Sequence, residues 1–199
     1  MSILDAGYAR ILAYVPVLAG AVLAAGSGTR MGRPKAEVVI AGTRLLDRAI
    51  GVLRDGGCDP VFAVVRTGTA VSGAHAVVNP DPDRGMRSSL ELVVEAAAGC
   101  DALAVLLVDT PGIGAAAVRT VLTHWRPGRI VLARYADGRR GHPTMMAPAQ
   151  WGAALVDAGP DEGARALLAA RPELVDAVDV PGDAADLDTP DDLTGWVAR

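Results

Sequence analysis

Aromatic side chains are scarce in this chain: one Phe, three Trp and three Tyr amount to 4% of its 199 residues. Since 51% of the residues are nevertheless apolar, the core has to be built from Ala, Val and Leu, a composition that suits helices laid on a parallel sheet. Cysteine is nearly absent. Cys58 and Cys100 are too few and too isolated for a disulfide framework or a zinc site, and buried free thiols in a reducing cytoplasm are expected. No long basic tract occurs and the formal net charge is -4, which argues against nucleic acid as the main partner. No apolar run reaches the ~20 residues that a bilayer-spanning helix needs, so no membrane partner is expected either. The segment Ile11 to Ala25, behind Arg10, imitates the apolar region of an export signal. Asp5 weakens its charge pattern, Pro16 interrupts it, and cleavage near Ala25 would remove a strand the fold needs, so export is rejected. Repeats, linkers and low-complexity tracts are missing, and the length suits one α/β domain rather than two.

What the chain does have is concentrated between Val17 and Lys35. An apolar run with the length of a buried strand changes abruptly into Gly26-Ser27-Gly28-Thr29-Arg30-Met31-Gly32-Arg33-Pro34-Lys35. Glycine lets backbone N–H groups approach phosphate oxygens, while Arg30 and Lys35 bring positive charge to the same place. A loop holding a nucleoside triphosphate is the expectation, and a surface turn with incidental basic residues is the plain alternative. Two familiar motifs do not fit. Gly26, Gly28 and Gly32 are spaced G-x-G-x-x-x-G, one residue longer than a dinucleotide fingerprint, and Lys35 is followed by Ala36 rather than the hydroxyl of a P-loop.

Beyond the loop, periodicity predicts a short strand over Glu37–Ile40, a helix over Leu45–Leu53 ending near Gly56-Gly57, a buried strand over Val61–Val65 and a third strand over His75–Val78. Two prolines and a glycine make Asn79 to Gly85 a loop, and the helical pattern of Leu90–Ala98 follows it with Ser88 or Ser89 available as its N-cap. Ala102–Val108 is the strongest central strand. It ends in Asp109, a carboxylate placed either to face the crevice at a parallel strand's carboxyl end or to cap the helix Ile113–Trp125. A strand over Ile130–Ala133 precedes Asp137 to Pro143, a basic, glycine-rich loop whose arginines either receive an anion or pair with Asp137 or Glu162. Pro148–Val156 is expected to be helical, another helix opens at Asp161, and Leu174–Val180 reads as an edge strand. Thr189 with Pro190, Asp191 and Asp192 has the pattern of a helix start, which leaves Asp186 and Asp188 without a structural explanation.

The stretch Leu23-Ala24-Ala25-Gly26-Ser27-Gly28-Thr29-Arg30-Met31-Gly32-Arg33-Pro34-Lys35 resembles the L-A-A-G-x-x-x-R-M-G-x-x-K signature of the small nucleotidyltransferases that include the molybdenum cofactor cytidylyltransferases. Sugar-phosphate and methylerythritol-phosphate nucleotidyltransferases carry close variants of it. Four further stretches follow in order: Asn79-Pro80 with Gly85-Met86-Arg87-Ser88-Ser89-Leu90, Asp109-Thr110-Pro111, Gly138 to Pro143, and Asp186-Leu187-Asp188-Thr189-Pro190. Together they resemble the family over about residues 17 to 196. Thr110 stands where glutamine or methionine is more usual, and Pro160 interrupts the match to a G-D-x-G-A-R segment.

The resemblance implies a single α/β domain over residues 16–199, a three-layer αβα arrangement with a Rossmann-like, mostly parallel sheet of nucleotide-diphospho-sugar transferase type, preceded by an extension over residues 1–15. It implies transfer of CMP from CTP to the terminal phosphate of a molybdopterin cofactor, with Mg²⁺ as the cofactor. Arg30, Lys35 and Asp109 would be catalytic; Leu23, Ala24, Ala25, Gly26, Ser27, Gly28, Asn79, Ser88 and Ser89 would join Arg30 and Lys35 around the nucleotide. Arg139, Arg140, Gly141, His142 and Pro143 would face the pterin. Asp109 would hold the metal with Asp188, or with Asp186 in its place, and a molybdoenzyme would receive the product. The rival readings are the same chemistry with GTP or on a sugar-phosphate or methylerythritol-phosphate acceptor, and a non-catalytic molybdopterin chaperone.

Overall fold

The apolar run that opens the glycine-rich stretch becomes β1 (Leu18–Leu23), a central strand of a seven-stranded sheet. The computed structural model describes residues 14–156 and 158–197; most of the expected N-terminal extension, residues 1–13, lies outside the described residues. After β1 the chain makes a hairpin of two short strands, β2 (Val39–Ile40) and β3 (Thr43–Arg44), and enters α1 (Leu45–Gly56). It continues through β4 (Val61–Arg66), β5 (His75–Asn79), α2 (Met86–Ala96), β6 (Ala102–Leu107) and α3 (Ala115–His124). The last part comprises β7 (Ile130–Arg134), β8 (Arg140–Met146), α4 (Pro148–Leu155), α5 (Arg165–Ala170), β9 (Val175–Asp179) and α6 (Pro190–Val197).

The strands are ordered β5-β4-β1-β6-β8-β7-β9, all neighbours parallel except that β8 runs antiparallel to both β6 and β7. Successive residues of a strand face opposite sides. Ala19, Ala21 and Leu23 of β1 accordingly join a core layer with α2 and α4, while Val22 joins the other layer with α1 and α3. Small side chains dominate both layers, as the lack of aromatics demands. Trp125, Tyr135 and Phe62 are buried among them, and Trp151 most deeply: it is 1% exposed and its indole N–H donates to the carbonyl of Leu103 at 2.9 Å. Cys58 and Cys100 are both free. Cys58 is packed so tightly on β1 that a Cβ at Gly20 would lie 2.9 Å from it, and burial pushes its thiol up to about 12.

Three segments differ from the sequence expectation. Arg140 to Pro143, expected in a loop, form the first half of β8. Glycine, proline and charge hide a strand there, yet Arg140 pairs with Arg134 and Gly141 with Ala133 before a bulge. Pairing of β8 with β6 begins only at Thr144, one residue past Pro143, which has no N–H to contribute. The helix α2 starts at Met86 rather than after Ser88 or Ser89; Gly85 precedes it at φ 93°. The helix expected from Asp161 starts at Arg165 because residues 161–164 form a turn, in which Gly163 adopts φ 53°. No helix among the described residues is long and apolar enough to cross a membrane.

Candidate active site

From β1 the chain builds outward to β4 and β5, then crosses to β6 on the other side of β1, so the direction of winding reverses between β1 and β6. Open α/β sheets bind ligands outside the carboxyl ends of the strands at such a reversal. Leu23 lies level with Leu107 across that boundary, which brings the glycine-rich loop and Asp109 side by side. The cap of α3 is Gly114, so Asp109 does not cap that helix and is left for the crevice.

The loop is held by its own packing. Met31 and Ala36 are buried at 6% and 1% exposure and anchor it, whereas the Arg30 side chain is 73% exposed and that of Lys35 17%. Gly28 has φ 63° and its missing Cβ would fall 2.0 Å from the carbonyl oxygen of Arg33. Only glycine allows that fold-back. At Gly26, by contrast, a Cβ would meet nothing within 4 Å, so the backbone there fronts open space.

Asp188 arrives from the far end of the sequence. Leu187, 2% exposed, donates its N–H to the carbonyl of Asp109 at 2.8 Å, and Asp183 donates to Gly112 at 3.1 Å. A Cβ at Gly112 would come 2.5 Å from the Asp183 carbonyl; the two segments touch because that position is glycine. Just beyond, Thr189 and Asp192 exchange hydrogen bonds of 2.8 and 3.2 Å, a capping box that starts α6.

These pieces converge on Lys35. Its Nζ donates to Asp109 Oδ2 at 2.7 Å and to Asp188 Oδ1 at 2.5 Å, while Arg30 Nη1 lies 3.0 Å from Asp188 Oδ2. Burial works to lower the Lys35 pKa, but the hydrogen bonds and charges of the two carboxylates outweigh it and the ammonium is held above its ordinary value. The hydrogen bond from Lys35 likewise holds the Asp188 carboxyl below the usual range. Asp109 Oδ1 is buried with no partner. No group of three or more His, Cys, Asp or Glu able to hold a metal occurs among the described residues. Two carboxylates suffice for Mg²⁺, which keeps several waters and takes substrate phosphates as further ligands; the unpartnered Asp109 oxygen fits such an ion.

Around the trio lies a cleft of about 540 Å³, bounded by the loop from Ala25 to Arg30 on one side and by Pro82, Asp83, Gly85, Met86 and Ser89 on the other. Leu23 lines it, whereas Ala24 is in the core and its N–H is used by Val64 at 2.8 Å. Asn79 stands behind the far wall. Its amide donates to Ser88 at 2.9 Å and Ser89 at 3.0 Å, and its Oδ1 accepts from the N–H of Asp81 at 3.0 Å. The side chain is therefore a brace, and of these three residues Ser89 is the one that lines the cleft. The first N–H groups of α2 are also spoken for: Met86 donates to Asp161 Oδ1 at 3.1 Å and Arg87 to the Pro160 carbonyl at 2.8 Å.

A second cavity of about 390 Å³ adjoins the first across Leu23, Met86, Leu107 and Asp161. Arg140, Gly141 and His142 line it together with Trp151 and Arg165; Pro143 is buried beside them. His142 Nδ1 lies 2.9 Å from the Val105 carbonyl. Because a carbonyl only accepts, Nδ1 carries the proton and Nε2 is left as an acceptor; desolvation lowers the ring's pKa and favours that neutral form. The guanidinium of Arg140 has no hydrogen-bond or ion-pair partner among the described residues. Arg139 points elsewhere. It pairs with Asp137 at 2.5 Å and Asp183 at 3.4 Å and lines neither cavity, which is the solvated pairing its charge allowed from the outset. Asp186 is exposed and absent from the cleft lining, so the geometry places Asp188, not Asp186, beside Asp109. Asp161 and Arg165 were not anticipated as lining residues. The one signal for them is the interrupted resemblance to G-D-x-G-A-R.

Residues 20–177 match the MobA-like NTP transferase domain. The chain is 35% identical over 191 residues to the nicotine blue oxidoreductase of Paenarthrobacter nicotinovorans, covering 88% of this chain and 94% of that one. It is 40% identical over 128 residues to the probable molybdenum cofactor guanylyltransferase of Opitutus terrae, covering 61% and 62%. Among solved structures, Rv0371c from Mycobacterium tuberculosis H37Rv superimposes with a TM-score of 0.80 at 25% identity, over 94% of this chain and 100% of that one. Its complex with manganese gives 0.76 at the same 25% identity and the same coverage of 94% and 100%.

Proposed function

Because the chain belongs to the MobA-like NTP transferase family and resembles a probable molybdenum cofactor guanylyltransferase, we propose that residues 16–199 transfer CMP from CTP to the terminal phosphate of a molybdopterin cofactor in the cytoplasm. The observation that carries this reading is the convergence of Arg30, Lys35, Asp109 and Asp188 at the reversal between β1 and β6. An oxygen of the acceptor phosphate forms a bond to the α-phosphorus, the bridging bond to the β-phosphate breaks in line, and pyrophosphate leaves. A phosphate is already a nucleophile, so no protein base is needed, and positioning with charge neutralisation supplies the catalysis. Arg30 and Lys35 stabilise the triphosphate as negative charge moves onto the leaving group. Asp109 and Asp188 would hold Mg²⁺, whose contribution is to neutralise phosphate charge; the manganese bound in the Rv0371c complex supports a divalent ion here. The acceptor occupies the second cavity, where Arg140 meets its negative charge and the neutral His142 offers Nε2 to an N–H or O–H of the ring system. A molybdoenzyme then takes the product.

GTP in place of CTP is the second reading, favoured by the 40% identity to a guanylyltransferase. Pyrophosphate release from CTP, GTP or ATP, each with Mg²⁺ and molybdopterin, tests both. Release with CTP alone is expected; release with GTP alone transfers the assignment to the guanylyl branch, and release with none makes the protein a non-catalytic binder. One further arm follows from the name of the relative matched over 94% of its length, a nicotine blue oxidoreductase: a change in the absorbance of nicotine blue mixed with the protein and a redox partner, where turnover would overturn nucleotidyl transfer.

A further inference from the structure

The charge of Lys35 suits it to phosphate, yet its ammonium bridges Asp109 and Asp188 at 2.7 and 2.5 Å. The geometry points to a second role: Lys35 is a built-in cation that holds the two carboxylates together and keeps divalent metal out until a triphosphate draws the ammonium away. This rests on the reading above that the cleft takes a metal and a triphosphate.

Three observations carry it. First, the ammonium already occupies one oxygen of each carboxylate, Asp109 Oδ2 and Asp188 Oδ1, so a cation that drew on both carboxylates fully would have to displace it. Second, the charges already balance: Asp109 and Asp188 contribute two negative charges, Arg30 and Lys35 two positive ones, all linked by contacts of 3.0 Å or less. A metal arriving alone therefore meets no net negative charge, whereas a metal arriving with a triphosphate brings the anion that Lys35 and Arg30 then engage. Third, Asp109 Oδ1 is buried and unpartnered because the ammonium satisfies only the other oxygen. One ammonium therefore leaves the Asp109 carboxylate short of a ligand, a demand that a metal entering with the triphosphate would meet.

The backbone at Lys35 need not move for the exchange. Pro34 precedes it and Ala36 is 1% exposed, so the loop stays anchored while rotation of the four-carbon stem carries Nζ from the carboxylates toward the cleft, which Lys35 already lines.

An ordinary structural ion pair makes the opposite forecast. If Lys35 only organised the site, removing it would leave two repelling carboxylates and weaken metal binding. As a place-holder, its removal leaves two carboxylates against Arg30 alone, a net negative site, and strengthens binding. Electron paramagnetic resonance of free Mn²⁺, with no nucleotide present, measures this directly. Lys35→Met should bind Mn²⁺ at least about tenfold more tightly than the natural protein, and adding Asp188→Asn to it should abolish the gain. Equal or weaker binding by a folded Lys35→Met protein overturns the proposal. Should that variant not fold, the natural protein labelled with ¹⁵N-lysine is read instead: the Lys35 ammonium signal should stay in place with Mg²⁺ alone and move when Mg²⁺ and a non-hydrolysable nucleotide are added together. Movement with Mg²⁺ alone overturns it equally. Neither measurement uses an acceptor, and the nucleotide arm is run with both the CTP and the GTP analogue, movement with neither also overturning the proposal, so failure of molybdopterin nucleotidylation leaves this result standing, and failure here leaves the transfer assay untouched.

Discussion

At the scale of single residues, the proposed reaction separates groups that would bear on phosphate from groups that support them. Lys35→Ala and Arg30→Ala should each lower turnover by at least ~100-fold, since a charge aimed at a transition state contributes a few kcal/mol there; steady-state kinetics with circular dichroism as the control for folding checks this. The loss is expected in Lys35→Ala even with the tighter metal binding proposed for a chain lacking this lysine, because the proposed reaction also needs the ammonium on the triphosphate. Asp188→Asn should abolish the metal dependence of activity, while Asp186→Asn, altered on an exposed side chain outside the cleft, should leave it near that of the natural protein; metal titrations of both variants decide. Arg140→Ala and His142→Ala should raise the acceptor KM several-fold with the nucleotide KM nearly unchanged. If either weakens the nucleotide instead, the second cavity has been assigned to the wrong substrate.

At the scale of elements, the site depends on two segments folding onto strand ends. Gly28 is the tighter constraint: a Cβ would lie 2.0 Å from the Arg33 carbonyl at a left-handed φ of 63°. Gly28→Ala should therefore force the loop open, lowering stability by about 1–3 kcal/mol and weakening nucleotide binding more than acceptor binding. Chemical denaturation and nucleotide titration measure the two effects separately. The wall opposite the loop is built differently. Asn79 binds Ser88 and Ser89 through its amide, and residues 160–161 take the first N–H groups of α2, so that this helix terminus is pinned by protein rather than open to a phosphate.

At the scale of the whole molecule, the trio joins residues 35, 109 and 188, drawn from near the start, the middle and the end of the chain. A ligand gripping all of them ties the return segment before α6 to the central strands, and anything that binds only the folded state raises its stability. At 100 times the dissociation constant the gain is ~2.7 kcal/mol. Nucleotide with Mg²⁺ should raise the melting temperature by more than the sum of the shifts from each alone, since Lys35 opposes the metal until the nucleotide engages it. Thermal unfolding with the four combinations checks this; a full shift from Mg²⁺ alone would contradict it.

The strands and the loop were legible in the sequence because their causes are local. Val61–Val65 and Ala102–Val108 are apolar throughout, as strands covered on both faces must be, and the change from aliphatic residues to glycine and basic residues after Ala25 marks a loop at a strand end. The resemblance carried the rest of the family assignment. What the sequence could not determine was set by packing between distant segments. Whether Arg140 to Pro143 form a loop or a strand was decided by the two neighbours that β8 fills the gap between, against the propensity of Gly141 and Pro143. Asp188 and Asp186 are equivalent by type and spacing; burial of Leu187 and its bond to the Asp109 carbonyl select the first. Arg139 and Arg140 are adjacent and alike, yet one is neutralised by Asp137 and Asp183 and the other faces the second cavity. Pairwise contacts across 74 and 153 residues put Lys35 between its two carboxylates, and no local pattern in a chain encodes which of its charges will be brought together at that range.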